Sequence, residues 1–316
     1  MWRRPLATGL ILAFVAGGAR ASAYETHDFD LMDAARQRAV PVRLYWPVAE
    51  GSIPLVIVSP GIGGSRRGYS YLGAHFANHG IASLHVQHVG SDRDSLWRGI
   101  PVSILSRLQR AAGEGEALAR VRDLRFALDQ VLAHAEFGAR IDHARIAAVG
   151  HSYGANTVML AVGASVERNG MRVDLSDARI RAALLLSAPP FYGEKDPARI
   201  LAAVTLPTLH ITATEDVIHI PGFYSPASDR LAVFEAIGSR VKALAVFHGG
   251  SHSIFTDRHW SGGVIFSPQV KKASRELALA FLRHVFERED DALERWPQTY
   301  APLLARWVSP AATPAR

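Results

Sequence analysis

A strand-like apolar run that ends in a serine between two glycines constrains this chain more than any other segment. Residues 146–149 are apolar, the pentapeptide Gly150-His-Ser152-Tyr-Gly154 follows, and residues 157–162 have the composition of a buried helix. A chain that changes from strand to helix over so few residues must turn sharply, and a side chain at either glycine would crowd the backbone there. The pattern predicts a serine hydroxyl exposed above a sheet, or else a plain serine-glycine turn without chemistry.

Two later strand-like segments end in an acid and in a histidine. One apolar segment leads to Glu215 and Asp216, and the other leads to a loop that contains His252. Parallel strands place their carboxyl ends, and hence these side chains, along one edge of a sheet. The order Ser152, Asp216, His252 is the order of nucleophile, acid and base in one class of α/β enzyme. Taken singly, a helix cap and a solvated loop histidine would explain them, but their joint occurrence favours a catalytic set.

The chemistry of a serine nucleophile explains why these three residue types are needed together. A serine hydroxyl is a poor nucleophile unless a base takes its proton as it attacks, and His252 is the candidate base. Asp216 would hold the imidazole in the right tautomer, with Glu215 as the competing acid. The oxyanion that develops needs backbone N–H donors. The amide of Tyr153 is one candidate, and the glycine-rich loop after the strand at 54–59 offers a second. That loop lacks the lysine of phosphate-binding loops.

Apolar and amphipathic segments alternate through the middle of the chain. This order predicts the α/β class, with a single domain built on a mostly parallel sheet of about eight strands and helices on both faces. The predicted strands are 42–46, 55–59, 82–86, 146–149, 182–187, 208–212 and 242–247. The predicted helices are 71–78, 116–135, 157–162, 229–237 and 269–286, with one extra C-terminal helix over 290–308.

Together these segments resemble those of an α/β-hydrolase-fold serine esterase. More narrowly, the chain is similar to bacterial exported hydrolases near the dienelactone-hydrolase-like and platelet-activating-factor-acetylhydrolase-like groups. The matching segments are 54–65 with Tyr69, 72–80, 88–92 and the three segments that carry the serine, the acid and the histidine.

The resemblance implies a role for five residues. It implies Ser152 as nucleophile, Asp216 as acid and His252 as base. It also implies an oxyanion hole formed by the backbone N–H groups of Ile62 and Tyr153. Because the chain contains no cysteine, it lacks the thiol nucleophile of true dienelactone hydrolases.

The first residues have the pattern of a secretory signal. Met1-Trp-Arg-Arg4 is basic, residues 6–18 are apolar, and Ala21-Ser-Ala23 is an A-x-A cleavage motif. We expect residues 1–23 to be removed and the protein to be exported, to the periplasm or to the medium, without a stable membrane span; a retained N-terminal anchor is the alternative. Residues 24–310 would form the α/β-hydrolase domain, and residues 311–316 a disordered tail.

The charge argues against a nucleic-acid partner. The formal net charge is +6, and loss of residues 1–23 removes three arginines and no acid, which leaves +3 with basic and acidic residues interspersed. His75 and His79 have helical spacing but lack the glutamate of an H-E-x-x-H zinc site, so neither a metal nor a cofactor is predicted. The expected partner is a small-molecule or lipid-like ester.

Two regions are candidates for shaping a substrate pocket. Residues 92–115 follow a strand end without strong periodicity, and would form either a small cap that carries Trp97, Ile100 and Leu105 or an ordinary surface insertion. Aromatic residues also follow two other strand ends. The candidate pocket residues are Trp97, Phe191, Tyr192 and Tyr224.

These observations predict an exported serine hydrolase that cleaves carboxylic esters through a covalent acyl-enzyme. An acyltransferase, an amidase or a peptidase would use the same three residues. A binding protein of the same fold without activity is the remaining alternative, and its usual mark is a missing member of the three.

Overall fold

Strands buried on both faces form the centre of the molecule. The computed structural model describes residues 24–97, 104–168, 171–194, 196–220, 223–257 and 266–310, and within these ranges nine strands join into one sheet. In spatial order they are β1 (Tyr24–Asp33), β2 (Arg38–Pro47), β4 (Ala82–Val86), β3 (Ile53–Ser59), β5 (Ile141–His151), β8 (Ala182–Leu186), β9 (Thr208–Glu215), β12 (Lys242–Ser251) and β13 (Leu304–Val308). The six strands from β4 to β12 are parallel, and the pairs β1–β2, β2–β4 and β12–β13 are antiparallel.

Helices cover both faces of this sheet. One apolar cluster joins the sheet to α4 (Glu114–Leu132), α5 (Tyr153–Ala161), α6 (Pro197–Leu201) and α7 (Ser228–Ala236). The other joins it to α1 (Ser70–Asn78), α8 (Phe266–Glu287) and α9 (Asp291–Thr299). Within β3, Leu55 and Ile57 belong to the first cluster and Val56 to the second, as the alternation of a strand requires. Each such side chain contributes roughly 1.5–3 kcal/mol by leaving water.

The predicted α/β class, with its mostly parallel sheet and helices on both faces, is confirmed. The prediction of one helix over 290–308 is wrong. Helix α9 ends at Thr299, and β13 then pairs with the free edge of β12. Pro302 cannot donate the backbone hydrogen bond that a continuing helix needs, and Trp307 packs 5.3 Å from Trp296, between ring centroids.

Five further strands are not among those that the sequence predicts, and two predicted segments lie outside the described residues. Strand β1 was not among the predicted strands, nor were two short hairpins, β6 (Val166–Arg168) with β7 (Met171–Val173) and β10 (Ile218–Ile220) with β11 (Phe223–Ser225). Residues 1–23 and 311–316, predicted as signal peptide and tail, lie outside the described residues. Of the helices that the structure describes, none is both long and apolar enough to cross a membrane.

Four buried histidines make the stability of this fold depend on pH. His85, His88, His151 and His210 are each less than 5% exposed. Burial lowers the pKa of His85 to about 4 and that of the other three to about 3. They are therefore neutral in the folded protein, while the unfolded chain binds protons below about pH 6.5. Acid then favours the unfolded state.

We expect the free energy of unfolding to fall as the pH decreases from 7.5 to 5.5, by roughly 1 kcal/mol for each of these histidines. Urea titrations at the two pH values measure this difference. His210→Leu is the matched variant, because the His210 Nε2 atom has no hydrogen-bond partner among the described residues. It should reduce the pH dependence by about one proton. An unfolding free energy that is the same at both pH values contradicts the account.

Candidate active site

Ser152 stands at a strained turn between β5 and α5. Its backbone has φ 55° and ψ −123°, a conformation that a residue with a side chain rarely adopts. Two glycines make room for this turn. A Cβ on Gly150 would lie 2.3 Å from the Gly154 carbonyl oxygen, and a Cβ on Gly154 would lie 2.0 Å from the Ser59 carbonyl oxygen. The Ser152 N–H donates to the Leu186 carbonyl at 2.9 Å, which fixes the turn against the next strand.

The pairing of β9 with β12 brings the acid and the base together. Ser251, the last residue of β12, pairs with Glu215, the last residue of β9. His252 and Asp216 directly follow these two residues. This pairing resumes after an irregularity in β12, where Gly249 and Gly250 have φ values of 63° and 86°. Glycine tolerates such values at little cost. The irregularity therefore shifts the register by two residues, from Phe247 opposite Ala213 to Ser251 opposite Glu215, and so places the two side chains side by side.

The predicted nucleophile, base and acid form one continuous line of hydrogen bonds. Ser152 Oγ lies 2.7 Å from His252 Nε2, and His252 Nδ1 lies 2.7 Å from Asp216 Oδ1. In the neutral tautomer that this arrangement requires, Nδ1–H donates to the carboxylate and Nε2 accepts from the serine hydroxyl. Ser152 is 8% exposed and Asp216 is fully buried. The line thus runs from the surface of a cleft into the protein interior.

The surroundings of Asp216 keep it ionised. Burial works to raise its pKa. The hydrogen bond from His252, the positive charge of Arg230 and the hydrogen bond from Thr212 outweigh this effect and hold the pKa well below its usual range. Arg230 Nε lies 3.5 Å from Asp216 Oδ1, and Thr212 Oγ1 donates to Oδ2 at 2.7 Å. The competing acid, Glu215, is exposed at the end of β9.

The two predicted oxyanion donors lie on either side of this turn. The amide of Tyr153 follows the nucleophile, and that of Ile62 belongs to the loop after β3. Within the described residues, neither N–H donates a hydrogen bond. The loop is close to the nucleophile, because a Cβ on Gly61 would lie 3.3 Å from Ser152 Cβ. Both amides are therefore available to an oxygen bound beside Ser152.

His151, between the first glycine and the serine, connects the loop to the base. Its Nδ1 accepts from the Tyr69 hydroxyl at 2.8 Å, and its Nε2–H donates to the His252 carbonyl at 3.0 Å. Tyr69 in turn accepts from the Gly61 N–H at 3.3 Å. Because burial lowers the pKa of His151 to about 3, the ring is neutral and can make both bonds at once. Its role here is structural rather than that of a second base.

Sequence reasoning does not single out Thr212 or Arg230. Arg230 has the clearer signal, because it lies one helical turn before Val233 and Phe234, the two buried apolar residues of α7. A charged residue in an apolar helical stripe needs a buried partner. Thr212 is an ordinary strand residue, and nothing in its neighbourhood along the chain marks it.

A cleft of about 1860 Å³ opens above Ser152. Of the four predicted pocket residues, Trp97, Phe191 and Tyr192 line this cleft. Tyr224 does not line it, whereas its neighbour Phe223 does. In the β10–β11 hairpin Phe223 is opposite Ile220 and Tyr224 is opposite His219, so the two aromatic rings point to opposite faces.

The predicted cap region lies along the same cleft. Helices α2 (Arg93–Trp97) and α3 (Ile104–Ala111) fall within residues 92–115, and Arg93, Leu108 and Gly113 line the cleft. Ile100 and the side chain of Leu105 lie outside the described part of the chain. That this region acts as a cap stays a prediction.

The histidine pair at 75 and 79 lies apart from this site. The two rings pack with centroids 4.4 Å apart on α1. In the part of the chain that the structure describes, no three histidine or acidic side chains form a group that could hold a metal ion.

Comparison with known proteins shows the fold. No protein-family model matches the chain, and no curated protein matches it. Among solved structures, a ferulic acid esterase from Streptomyces cinnamoneus is 22% identical, with 87% of this chain and 93% of that chain covered and a TM-score of 0.64. A cold-adapted esterase from an Arctic intertidal metagenomic library, in a PEG-bound complex, is 23% identical, with 74% and 88% covered and a TM-score of 0.52. At these identities the similarity establishes the α/β-hydrolase fold alone.

The two acids at the end of β9 can be told apart by their effect on Ser152. We expect Asp216→Asn to slow the reaction of Ser152 with a fluorophosphonate by roughly 10³- to 10⁴-fold, because the amide favours the wrong histidine tautomer. Glu215→Gln, the matched control, should label at close to the wild-type rate. Labelling rates measured by intact-protein mass spectrometry decide this. If Glu215→Gln is the slow variant, the assignment of the acid is wrong.

Proposed function

We propose that this protein is an exported serine hydrolase that cleaves carboxylic esters through a covalent acyl-enzyme. The observation that carries the proposal is the continuous line from Ser152 through His252 to the buried, ionised Asp216, with two unpartnered amides of the described chain beside the serine. The esterases among the structural neighbours support an ester as the substrate. The basic and apolar pattern of residues 1–23 supports export to the periplasm or the medium.

The first half of the reaction acylates the serine. His252 Nε2 takes the proton as Ser152 Oγ attacks the carbonyl carbon of the ester. The carbonyl oxygen becomes an oxyanion and accepts hydrogen bonds from the Ile62 and Tyr153 amides. When the tetrahedral intermediate collapses, the protonated His252 gives its proton to the departing alcohol. The acyl group then remains on Ser152.

The second half releases the acid. A water molecule takes the place of the alcohol, and His252 removes its proton as the water attacks the acyl carbon. Collapse of this second intermediate returns the proton to Ser152 and frees the carboxylic acid. Asp216 stays ionised throughout and stabilises the imidazolium form of His252. The positive charge of Arg230 helps to hold the pKa of Asp216 low and so keeps this carboxylate ionised.

The cleft supports a substrate with a bulky apolar part. Its volume exceeds that of ordinary small-ligand pockets, which hold roughly 300–1,000 Å³. Trp97, Phe191, Tyr192 and Phe223 offer aromatic surface along it. A lipid-like or aromatic acyl or alcohol group fits this surface better than a small polar ester does. A closer relation to exported hydrolases of the dienelactone-hydrolase-like and platelet-activating-factor-acetylhydrolase-like groups is part of this proposal.

Hydrolysis of a p-nitrophenyl ester series, from acetyl to long acyl chains, tests the proposal. The mature protein should turn over these esters, with a preference for a longer or aromatic acyl group. Ser152→Ala should abolish turnover while its unfolding temperature stays close to that of the wild type, because the change removes one hydroxyl at a turn. Ser251→Ala, at the end of β12 beside His252 but outside the hydrogen-bonded line, is the matched control and should remain active.

The products separate hydrolysis from acyl transfer. Free acid in the presence of an added alcohol or amine supports a hydrolase, whereas a new ester or amide supports a transferase. Cleavage of anilides in preference to esters would indicate an amidase. Absence of turnover on every ester, with no labelling of Ser152 by a fluorophosphonate, would contradict the proposal and favour a binding protein of this fold.

A further inference from the structure

One buried guanidinium lies directly behind the loop that carries Ile62. Arg120, on α4, is 1% exposed. Its Nη2 atom donates to the Pro60 carbonyl and, at 3.3 Å, to Ser59 Oγ. Its Nη1 atom donates to Ser91 Oγ at 2.7 Å. On the other side its Nε donates to Thr157 Oγ1 at 3.0 Å. A single side chain thus reaches β3, the segment after β4, and α5.

The same guanidinium contacts the residue that follows the nucleophile. Its central carbon lies 4.5 Å from the centroid of the Tyr153 ring. The face of an aromatic ring attracts a cation, most strongly where water is absent. Arg120 therefore touches the residues around both predicted oxyanion donors, and it does so without reaching the cleft itself.

The burial of this charge is expensive, and none of its four oxygen acceptors is a carboxylate. The carboxylates of Glu116 and Asp123 favour the charge only through space. Burial lowers the pKa of Arg120 to about 10, so that it still carries its charge at neutral pH. An apolar residue in the same helical stripe would pack against Leu124 and Ala127 at no such cost. A purely structural role accounts poorly for the choice of arginine here.

The hydrogen bonds around Ile62 show what the guanidinium fixes. The peptide before Gly61 is held at both ends, its oxygen by Arg120 and its N–H by the Tyr69 hydroxyl. The Gly61 oxygen, which belongs to the same peptide as the Ile62 N–H, accepts from the Gly64 N–H at 3.0 Å. These bonds set the rotation of the peptide that carries the donor.

The far side of Ile62 is held through Ser91. The Gly63 N–H donates to the Ser91 carbonyl at 2.7 Å, and the hydroxyl of the same serine accepts from Arg120. Arg120 is thus bonded to groups on both flanks of Ile62. The peptide between these flanks has little freedom to turn its N–H away.

We infer that Arg120 is a positioning residue, which aims the Ile62 N–H at the developing oxyanion before any substrate binds. The inference rests on the proposed function and adds a residue that touches neither the substrate nor the reacting atoms. Donors that are already aimed require no reorganisation in the transition state, and this is the largest advantage that an oxyanion hole provides. The loss of Arg120 should then weaken binding of the transition state and leave binding of the ground state nearly unchanged.

Kinetics of Arg120→Met and Arg120→Lys test this inference. Arg120→Met keeps length but removes charge and donors, and Arg120→Lys keeps the charge but cannot bond to both flanks. We expect kcat to fall by about 10²-fold in both, as for loss of one oxyanion donor, with KM little changed. The affinity for a trifluoromethyl ketone, which forms an oxyanion adduct with the serine, should fall in parallel. All rates are referred to the concentration of Ser152 that a fluorophosphonate labels to completion.

Arg36→Gln is the matched control. Arg36 bonds to Asp33, to Asp123 and to the Ala119 carbonyl, and contacts no residue of the Ile62 loop among those described. Its loss should lower the unfolding temperature without changing kcat or the affinity for the ketone. A general loosening of the fold would affect all three variants alike, whereas the loss of positioning affects the two Arg120 variants alone.

Each remaining outcome has a defined meaning. Wild-type kcat and ketone affinity in Arg120→Met overturn the inference, and full rescue by Arg120→Lys overturns it too, because charge alone would then suffice. If both variants are insoluble, Ser91→Ala decides: it removes the hydroxyl that accepts from Arg120 but keeps the carbonyl that accepts from Gly63. In that variant kcat should fall about tenfold, while unchanged kcat overturns the inference. A wild-type protein without ester turnover contradicts the proposed function itself, whereas an active wild type with unaffected variants contradicts only the role of Arg120.

Discussion

A close approach of two backbone segments, where Gly154 faces the Ser59 carbonyl, sets the geometry of the whole site. Any Cβ at position 154 would lie 2.0 Å from that oxygen, so only glycine allows α5 to start against the end of β3. This contact brings the helix start and the loop after β3 to the same place. The strained Ser152, the Tyr153 amide and the Ile62 amide converge for that reason. Strain at the serine, of order 1–3 kcal/mol, is maintained by the packing around it.

The second constraint on the site is the burial of two positively charged side chains, Arg230 and Arg120. Arg230 lies beside Asp216 and favours its ionised form, while Arg120 holds the loop that carries Ile62. Both side chains are almost fully buried and both belong to helices on the same face of the sheet. Removal of a partner from such a group would leave an uncompensated charge or an unpaired acceptor. The hydrogen bonds and charges of the site therefore continue into the buried part of the protein.

The class of the fold, and the position of Ser152, Asp216 and His252 at three strand ends, could be predicted because both depend on local patterns. Each strand end that carries Ser152, Asp216 or His252 is visible as an apolar run followed by glycine or polar residues. Burial in the folded protein, rather than the sequence, separates the two acids: Glu215 at the end of β9 is exposed and Asp216, the next residue, is fully buried. A sequence also shows that residues 54–65 form a strand and a glycine-rich loop, but not which peptide of the loop turns its N–H toward the serine.

What could not be predicted depends on contacts between distant segments. The last strand, β13, forms because the edge of β12 is free, and no pattern within 304–308 reports that edge. Phe223 rather than Tyr224 faces the cleft because of the register between β10 and β11, two strands of three residues each. Arg120 and Arg230 did leave a signal, since each lies in a helical stripe with buried apolar residues three or four positions later. A charged residue in such a stripe is a reason to look for a buried partner.

The line of hydrogen bonds from Asp216 to Ser152 is proposed to make this serine a nucleophile. Mixing the protein with excess p-nitrophenyl ester, quenching with acid within milliseconds to seconds, and mapping the acylated peptide by mass spectrometry tests this most directly. We expect a burst of p-nitrophenol and an acyl group on the peptide that contains Ser152, both absent in Ser152→Ala. Turnover without an acylated Ser152, or acylation at another residue, would contradict it.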